Sequence, residues 1–507
     1  MLTLAAARAK FQEIWGYPDF RPPQGEIIQC LLEGRDALIV LPTGFGKSIC
    51  FQLPALLQDG VTLVISPLIA LMEDQVQALV AKKLKAATIH SQQLPAQRRA
   101  TLRALQSNEL RLLYLAPETL LSPPVWEVLT QPEVGIRGLI LDEAHCLAQW
   151  GDNFRPAYER LGAVRPSLLR HKPPGTRIPL AAFTATADPP VQETIQRVLR
   201  LEDPVVVRRS PYRQNINITV HTVLTPYQRR QKVLRIIRAR EGEAGLVYVA
   251  TRRDTEVWAD WLRTKGIPTH AYHAGLSATQ RRELEQLWLK GGVPFLVSTS
   301  ALGMGVNKPD IRWVMHIQPP FNPLDYIQGI GRGGRDGALS EAITLTSQPT
   351  GWWGRLPVGW LFNWLNPIEA KAQKHYLSQL QKQYKEALKA AHTLPPQGRL
   401  DQLPDPTQAA AALALLHRLG VLHWENPYTY RLDQKRLAQL RVRPQDTGLK
   451  AINAYLRTSE CRWLFLVRAL GLEQEGDPLP CGHCDNCWRT GNPSGNHYLG
   501  RWVKPRS

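Results

Sequence analysis

The segment that most limits what this chain can fold into runs from Ala37 to Ser48. Four apolar residues, typical of a short buried strand, are followed by Leu-Pro-Thr-Gly-Phe-Gly-Lys-Ser and then by an apolar stretch of helical character. A strand, a glycine-rich turn and a helix in this order predict a phosphate-binding loop. The strict pattern has glycine where Leu41 stands, so the spacing alone leaves a chance glycine-rich turn as the alternative.

The turn supplies the candidate ligands for ATP. Gly44 and Gly46 let the backbone curl so that its N–H groups face a phosphate. Lys47 would hold the β and γ phosphates, and the hydroxyl group of Ser48 would bind Mg²⁺. Thr43 lies in the same turn and is assigned to the nucleotide-binding set. The cofactors predicted for this segment are therefore ATP and Mg²⁺.

An acidic pair follows a second apolar run. Asp142 and Glu143 come directly after Gly138-Leu139-Ile140-Leu141, so they should emerge at the carboxyl end of a buried strand, where open parallel sheets bind ligands. One carboxylate there can hold a metal ion and the other can activate a water molecule. Such a pair taken alone is usually a solvated strand end. Combined with the phosphate loop, it predicts a site of nucleotide hydrolysis.

Aromatic residues and an arginine follow the acidic pair closely. Trp150, Phe154 and Tyr158 alternate with polar residues and with Arg155, a composition suited to stacking on bases and pairing with phosphate. The alternative role of these aromatic residues is core packing, which for Trp150 is about as plausible as stacking. The segment predicts nucleic-acid contact next to the hydrolytic site.

Apolar runs of strand length alternate with helical stretches up to about residue 347, which predicts parallel sheets covered on both faces. The pattern falls into two series that meet near residue 207. The fold class that we predict is α/β, with two tandem parallel-sheet lobes and a mainly helical C-terminal region that binds zinc. The predicted domains are residues 1–207 (the ATP-binding lobe), 208–347 (the second lobe), 348–445, 446–492 (the zinc-binding domain) and a tail at 493–507.

The net charge and the hydropathy of the sequence limit which partners and which cellular compartment we expect. The formal net charge is +19, from 62 Lys and Arg against 43 Asp and Glu, which favours a polyanionic partner over the alternative of a merely solvated basic face. The sequence contains no run of about 20 apolar residues that could span a membrane, and no signal peptide is recognisable. We expect a cytoplasmic protein, associated with the nucleoid if bacterial.

Four of the seven cysteines cluster near the end of the chain. Cys481, Cys484 and Cys487 stand at three-residue intervals, and Cys461 lies on the preceding predicted helix. Four thiolates are the ligand set of a closed tetrahedral Zn²⁺ site, whose metal would be structural because no position stays open for substrate. Reduced cysteines in a loop are the less favoured alternative, and His483 is an alternative ligand.

Two arginines stand among glycines in the second series. Arg332 and Arg335 lie within Gln-Gly-Ile-Gly-Arg-Gly-Gly-Arg-Asp-Gly, which begins at Gln328. Such a pair can bring guanidinium groups close to a phosphate, as an arginine finger does. A flexible basic loop or a non-specific phosphate clamp is the alternative, and the spacing alone favours it.

Residues 348–445 carry fewer signals. Apolar residues recur at helical spacing from Leu377 to Leu388 with lysines among them, which favours a docking helix with a solvated basic face over DNA contact. The sequence predicts a helix over Ala409–Leu419 and a hairpin over Val421–Tyr430, after the turn at Gly420. Together they predict a small winged-helix-like unit.

In this order, the motifs resemble those of superfamily 2 helicases, and specifically the RecQ family of DNA helicases, from about residue 17 to residue 346. The resemblance implies that the two lobes are RecA-like. The matching segments are Gly16-Tyr17, Phe20-Arg21-Pro22 and Gln24 (the adenine motif), LPTGFGKS, DEAH at 142–145, Thr184-Ala185-Thr186, GMGVNKP at 303–309 and QGIGRGGRDG at 328–337.

The resemblance implies a role for each matching residue. Arg21 and Gln24 would read the adenine edge, with Tyr17 packed on the ring. Asp142 would position the metal ion, and Glu143 would align or deprotonate the attacking water. His145 would link the ATP site to the neighbouring motifs, and Arg335 would be the arginine finger. The remaining residues that it assigns are Gln328 and Arg332 for catalysis, and Trp150, Phe154, Arg155, Thr184 and Thr186 for DNA contact and coupling.

The function that the resemblance implies is ATP-driven 3′ to 5′ movement on single-stranded DNA with duplex unwinding, in DNA repair and recombination. The expected partners are single-stranded and partially duplex DNA, with single-strand-binding or recombination proteins as candidates, and we expect a monomer. A translocase or an RNA helicase is the nearest alternative. An ATP-regulated DNA-binding protein without unwinding is the alternative from another class.

The sequence departs from the family pattern in two places. Asp152-Asn153 stands where the family usually has His-Asp, which puts a carboxylate near a surface expected to face phosphate. This change could weaken DNA contact or alter its coupling to hydrolysis. The segment after Cys487 is also short, so we expect the winged-helix and HRDC modules that often follow the zinc site in this family to be missing.

Overall fold

The computed structural model describes residues 3–148, 155–303, 308–348, 368–440, 447–474 and 477–491. The chain divides into two compact units, one of Met1–Arg209 with His375–Gln445 and the other of Ser210–Lys374 with Asp446–Ser507. Residues 375–445, which the sequence assigns to a separate helical region, thus belong to the first unit. Trp150, Asp152 and Phe154 lie outside the described residues, as do residues 304–307 of the GMGVNKP segment.

The first unit is built on a seven-stranded parallel sheet with the strand order β3-β4-β2-β5-β6-β1-β7. Its strands are β1 (Ala37–Val40), β2 (Val61–Ile65), β3 (Ala86–Ile89), β4 (Leu112–Leu115), β5 (Ile136–Leu141), β6 (Leu180–Thr184) and β7 (Val205–Arg208). Its helices up to residue 199 are α1 (Leu4–Trp15), α2 (Gln24–Leu32), α3 (Lys47–Leu57), α4 (Ile69–Ala81), α5 (Pro95–Gln106), α6 (Pro117–Leu120), α7 (Pro123–Leu129), α8 (Val164–Leu169) and α9 (Pro189–Leu199), with 3₁₀ helices at Ala144–Leu147 and Pro156–Ala163.

Burial explains why these strands read as continuous apolar runs. All four residues of β1 and all five residues of β2 and β6 are buried, because helices cover both faces of a parallel sheet. Phe51 on α3 packs edge-on against Phe183 on β6, with ring centroids 5.2 Å apart. The strand order places the carboxyl ends of β5, β6 and β1 side by side, and that edge carries the predicted ATP site.

The second unit contains a six-stranded parallel sheet with the order β10-β11-β9-β12-β13-β8. Its strands are β8 (Ile216–Thr222), β9 (Gly245–Tyr248), β10 (His270–Tyr272), β11 (Phe295–Ser298), β12 (Trp313–His316) and β13 (Ser340–Thr346). Its helices are α10 (Pro226–Arg238), α11 (Arg252–Thr264), α12 (Ala278–Leu289) and α13 (Pro323–Ile330), with a 3₁₀ helix at Ser300–Gly303. The two predicted parallel sheets are therefore confirmed.

The C-terminal part is mainly helical, as predicted. Helix α14 (Ile368–Ala391) is followed by β14 (Gln397–Arg399), a 3₁₀ helix at Leu400–Gln402, α15 (Pro406–Arg418), β15 (Leu422–Trp424), β16 (Thr429–Leu432) and α16 (Gln434–Gln439). The strands form an antiparallel sheet in the order β14-β16-β15, which contains the predicted hairpin. We call residues 397–440 the docking module. The last helices are α17 (Thr447–Arg457), α18 (Arg462–Ala469) and α19 (Asp485–Arg489).

In the part of the chain that the structure describes, no helix combines the length and apolar character that a membrane span requires.

Candidate active site and metal centre

The phosphate loop joins the carboxyl end of β1 to the start of α3. Gly44 and Gly46 have φ angles of +90° and +72°, a left-handed conformation that favours glycine. A Cβ atom at Gly46 would lie 2.5 Å from Nε2 of Gln24, so a larger residue there would displace the Gln24 side chain. Lys47 folds back over the loop and donates a hydrogen bond to the carbonyl oxygen of Leu41 at 3.0 Å. The N–H groups at the start of α3 can thus bind a phosphate.

The predicted adenine-reading segment contacts the phosphate loop directly. Gln24 is 4 % exposed, and its side chain accepts a hydrogen bond from the N–H group of Arg21 at 2.9 Å. The same side chain donates to the carbonyl oxygen of Phe45 in the phosphate loop at 3.0 Å. Tyr17 is half-exposed, with its ring 5.7 Å from that of Phe11. Gln24 therefore joins this segment to the phosphate loop, and the roles of Tyr17, Arg21 and Gln24 in adenine contact stay predictions.

The acidic pair lies at the carboxyl end of β5. Asp142 is buried, and burial, followed by the charge of Glu143, raises the pKa of Asp142 to about 7, while Lys47 opposes the rise. Glu143 adopts a left-handed backbone with φ of +50°, and its N–H group donates to Oδ1 of Asp142 at 3.0 Å. This conformation is uncommon for a residue other than glycine and is often found at functional sites.

A polar chain connects the acidic pair to the end of β6. Nδ1 of the buried His145 lies 3.3 Å from Oε2 of Glu143 and 3.1 Å from Oγ1 of Thr184. The hydroxyl group of Thr184 donates to the carbonyl oxygen of Thr186 at 3.0 Å. Burial by itself would lower the pKa of His145, but its contacts with Cys146 and Glu143 raise that pKa above the usual value. A displacement of Glu143 can therefore be transmitted through His145 to Thr184, and the reverse also holds.

Besides Tyr158, the predicted nucleic-acid residue that the structure describes on this segment is Arg155. It precedes the 3₁₀ helix Pro156–Ala163 and lies 3.5 Å from Glu118 in a partly exposed ion pair. The prediction that Tyr158 stacks on bases is wrong, because its side chain is 1 % exposed. The alternation of aromatic and polar residues did not distinguish a core tyrosine from a surface one.

The arginine-containing loop follows α13 in the second unit. Gln328 lies on α13, and Arg332 is buried beside Tyr248. Burial raises the pKa of Tyr248, and the charge of Arg332 offsets part of that rise. Arg335 lines an open pocket. The loop is held in place because Arg213 donates to the carbonyl oxygen of Gly334 at 2.6 Å. The catalytic roles of these residues stay predictions.

Four buried thiols meet where the sequence predicts zinc. The sulfur atoms of Cys461, Cys481, Cys484 and Cys487 all lie within 4.8 Å of one another. The Sγ atom of Cys487 is 3.5 Å from that of Cys484 and 4.0 Å from that of Cys481. Zinc–sulfur bonds of about 2.3 Å imply sulfur–sulfur edges of about 3.8 Å in a tetrahedron, so the cluster fits a Zn²⁺ ion.

Backbone N–H groups donate hydrogen bonds to two of the four sulfur atoms. The N–H group of Cys481 donates to Sγ of Cys461 at 3.2 Å, and the N–H group of Arg462 donates to Sγ of Cys484 at 3.3 Å. Such contacts orient the ligands of a metal ion and stabilise their charge. The alternative ligand His483 points elsewhere, since its Nε2 atom lies 3.0 Å from the hydroxyl group of Tyr212.

One buried polar cluster in the first unit has no counterpart among the sequence predictions. Glu159 accepts hydrogen bonds from Arg418 and lies 2.8 Å from Nδ1 of His417, although both residues are far from it along the chain. No local motif could have revealed this cluster, because Glu159 is more than 250 positions away from both partners along the chain.

Comparison with known families agrees with the geometry. The chain matches the DEAD/DEAH box helicase family over residues 21–194 and the helicase conserved C-terminal domain over residues 228–337. The fold and the site therefore define a two-lobed helicase. The chain is 47 % identical over 480 residues to the ATP-dependent DNA helicase RecQ of Synechocystis sp., which covers 94 % of this chain and 97 % of that relative. It belongs to the RecQ family of ATP-dependent DNA helicases.

More distant relatives and solved structures extend the comparison. The RecQ helicase of Pasteurella multocida is 38 % identical over 330 residues, which are 65 % of this chain and 50 % of that relative. Dbp5 of S. cerevisiae bound to RNA and ADP BeF3 has a TM-score of 0.55 at 17 % identity, covering 67 % of this chain and 87 % of its own. The DUF1998 helicase MrfA bound to DNA has a TM-score of 0.56 at 18 % identity, covering 86 % and 64 %. These two structures support the fold alone.

Proposed function

We propose that this chain is an ATP-dependent DNA helicase that moves 3′ to 5′ along single-stranded DNA and separates duplex strands in DNA repair and recombination. The observation that carries the proposal is the polar chain from Glu143 through His145 to Thr184. It joins the residue predicted to activate water to a residue predicted to act in coupling, within the unit that holds the phosphate loop. A molecule that only bound ATP would need no such connection.

The residues of the loop and the acidic pair divide the chemistry of hydrolysis. Lys47 binds the phosphates, and Glu143 orients the attacking water or accepts its proton. Ser48 and Asp142 would hold Mg²⁺, which prefers hydroxyl and carboxylate oxygens and, when bound, withdraws negative charge from the phosphates. The raised pKa of Asp142 fits such a ligand, because a divalent cation favours the ionised carboxylate.

The second unit holds the proposed catalytic arginines and the proposed structural zinc site. Arg335 acts as the arginine finger, and Arg332 supports it, by meeting the negative charge that develops during phosphoryl transfer. The four cysteines bind one structural Zn²⁺, which stabilises the C-terminal helices when bound. Gln328, which lies on α13, acts in catalysis together with the two arginines.

The choice of DNA over RNA rests on the named relatives rather than on the fold. Dbp5 is described as bound to RNA and MrfA as bound to DNA, so similar folds accept either polymer. The relatives with 38 to 47 % identity are named DNA helicases. An RNA helicase or a translocase without unwinding is therefore the second candidate, and an ATP-regulated DNA-binding protein is the third.

One assay separates these candidates. Purified full-length protein with ATP and Mg²⁺ is given matched DNA and RNA partial duplexes that carry either a 3′ or a 5′ overhang. We expect DNA-stimulated ATP hydrolysis and unwinding of DNA from the 3′ overhang alone. Unwinding confined to RNA would contradict the substrate, and unwinding from the 5′ overhang would contradict the polarity.

The Lys47→Ala variant tests the ATP site in the same assay. Removing the ammonium group should lower ATP turnover by at least about a hundredfold, because charge neutralisation at the phosphates carries much of the catalysis. DNA binding, measured by fluorescence anisotropy, should persist. A variant that still hydrolyses ATP at the wild-type rate would refute the assignment of the phosphate loop.

A further inference from the structure

Arg418, the last residue of α15, contacts the chain on both sides of the segment that the sequence predicts to bind DNA. Before that segment, its guanidinium group donates to the carbonyl oxygen of Ala148 at 3.2 Å and to that of Leu147. After it, the same group donates to Oε1 of Glu159 at 2.9 and 2.8 Å. One side chain from the docking module thus joins the helix that carries His145 to the helix that follows Arg155.

The Glu159 carboxylate, which accepts hydrogen bonds from Arg418, is fully buried. The side chain of Glu159 has no exposed surface, and His417 lies 2.8 Å from its other oxygen. A buried carboxylate needs paired donors, because the loss of one partner leaves an uncompensated charge. Arg418 itself is 13 % exposed, so little solvent screens the pair. This geometry fixes the orientation of the guanidinium group.

The docking module contacts the rest of the first unit at further points. The hydroxyl group of Tyr428 donates to the carbonyl oxygen of Leu121 at 3.0 Å, and the ring of Tyr428 lies edge-on to that of Trp126. Arg200 donates to the carbonyl oxygen of Trp424 at 2.7 Å. The β15–β16 hairpin is therefore anchored independently of Arg418, and the loss of that one arginine should leave the module docked.

Helix α15 is largely buried from Ala409 onward. Ala412 and Leu415 pack against α14, whereas Leu413 and Leu416 pack in a cluster that includes the three-stranded sheet and Ala163. A helix that reads DNA presents an exposed polar face to the groove. The burial of α15 favours a role in positioning over direct DNA recognition.

We propose that Arg418 is a positioning residue that sets how strongly DNA binding stimulates ATP hydrolysis. By holding Leu147, Ala148 and Glu159 together, it fixes the end of the short helix that contains His145, and hence the polar chain to Thr184. The inference rests on the proposed function, because it requires an ATPase that responds to DNA.

The chemistry of the contact requires arginine. A planar guanidinium group can donate in several fixed directions at once, whereas a lysine ammonium is a single point charge on a flexible stem. Lysine at position 418 could keep the ion pair with Glu159, but it would not hold both carbonyl groups in the same geometry. Arg418→Lys should therefore preserve folding and impair positioning.

The test compares Arg418→Ala and Arg418→Lys with the wild-type protein. ATP turnover is measured without DNA and with a saturating single-stranded oligonucleotide, alongside DNA affinity and the midpoint of thermal unfolding. We expect basal turnover to stay within about twofold and the stimulated rate to fall by about 2- to 30-fold, the range typical of residues that carry coupling. DNA affinity should change little, and Arg418→Lys should unfold near the wild-type temperature.

A matched control and three outcomes make the test decisive. Arg436→Ala removes another arginine of the docking module, 69 % exposed, and should leave the stimulation unchanged. Full stimulation in both Arg418 variants would overturn the inference. So would an equal loss of basal and stimulated turnover in Arg418→Lys, because a purely structural role predicts that result. A wild-type protein whose ATPase ignores DNA would overturn the proposed function together with the inference.

Discussion

Replacing Asp142 with asparagine should make the ligand-free protein more stable. Burial and the charge of Glu143 raise the pKa of the Asp142 carboxyl from 3.8 to about 7 in the folded chain. This rise corresponds to about 4 kcal/mol of unfavourable free energy for the ionised form, because each tenfold change in proton affinity is worth about 1.4 kcal/mol. Asparagine has a similar shape and can still accept a hydrogen bond from the N–H group of Glu143, but it carries no charge.

The pH dependence of this effect has a definite sign. Because the folded pKa lies above the unfolded one, the wild-type protein is free of the penalty below pH 3.8 and bears all of it above about pH 7. The variant bears none at any pH. Its advantage in the free energy of unfolding should be about 4 kcal/mol near pH 8.5 and about 2 kcal/mol near pH 5.5.

Urea unfolding in EDTA, with hydrogen exchange read on β5 and β6, measures this advantage in the first unit. Asp59→Asn is the matched control, because the Asp59 side chain is 92 % exposed and its substitution should give no comparable gap. Adding Mg²⁺ with a non-hydrolysable ATP analogue should narrow the gap, since the cation stabilises the ionised Asp142 and not an amide. A variant less stable than wild type at every pH, or a gap that ignores pH, would refute the reasoning.

Two further predictions concern stability. Asp36→Ala should lower the free energy of unfolding by about 3 to 5 kcal/mol in urea, because it removes the carboxylate that lies 2.7 Å from the buried guanidinium group of Arg165; a loss below about 1 kcal/mol would contradict this. Chelation should release about one Zn²⁺ per chain in a colorimetric assay and increase hydrogen exchange in α18 and α19, whereas a metal-free protein with unchanged exchange would rule out the site.

The local features of the ATP site could be predicted because they depend on neighbours along the chain. The turn at Gly44 and Gly46 needs left-handed backbone, and the strand order places Asp142 at the same sheet edge. The spacing of the cysteines likewise brings Cys484 and Cys487 together within one short helix and its cap. In each case the chemistry and the local geometry are written in the same few residues.

Other features depend on packing between distant segments and left no local signal. Tyr158 has the same aromatic character as a stacking residue, but the first unit buries it. The contact between Glu159 and Arg418 spans 259 positions, so its existence depends on where the docking module packs. Periodicity predicted α15 and the hairpin, yet it could not predict the surface against which they pack.

The buried acids of the first unit show how the fold separates structural carboxylates from functional ones. Asp36 accepts hydrogen bonds from Arg165 and from the N–H groups of Leu180 and Glu202, so its charge is compensated within the protein. Asp142 instead faces the like charge of Glu143, and its pKa rises to about 7. A carboxylate that the fold leaves in this condition is stabilised by binding a cation, which ties the stability of the sheet edge to the presence of nucleotide and metal. The same reasoning places Glu159 with Asp36, because its charge is met by Arg418, and it assigns Glu159 to holding the site rather than to its chemistry.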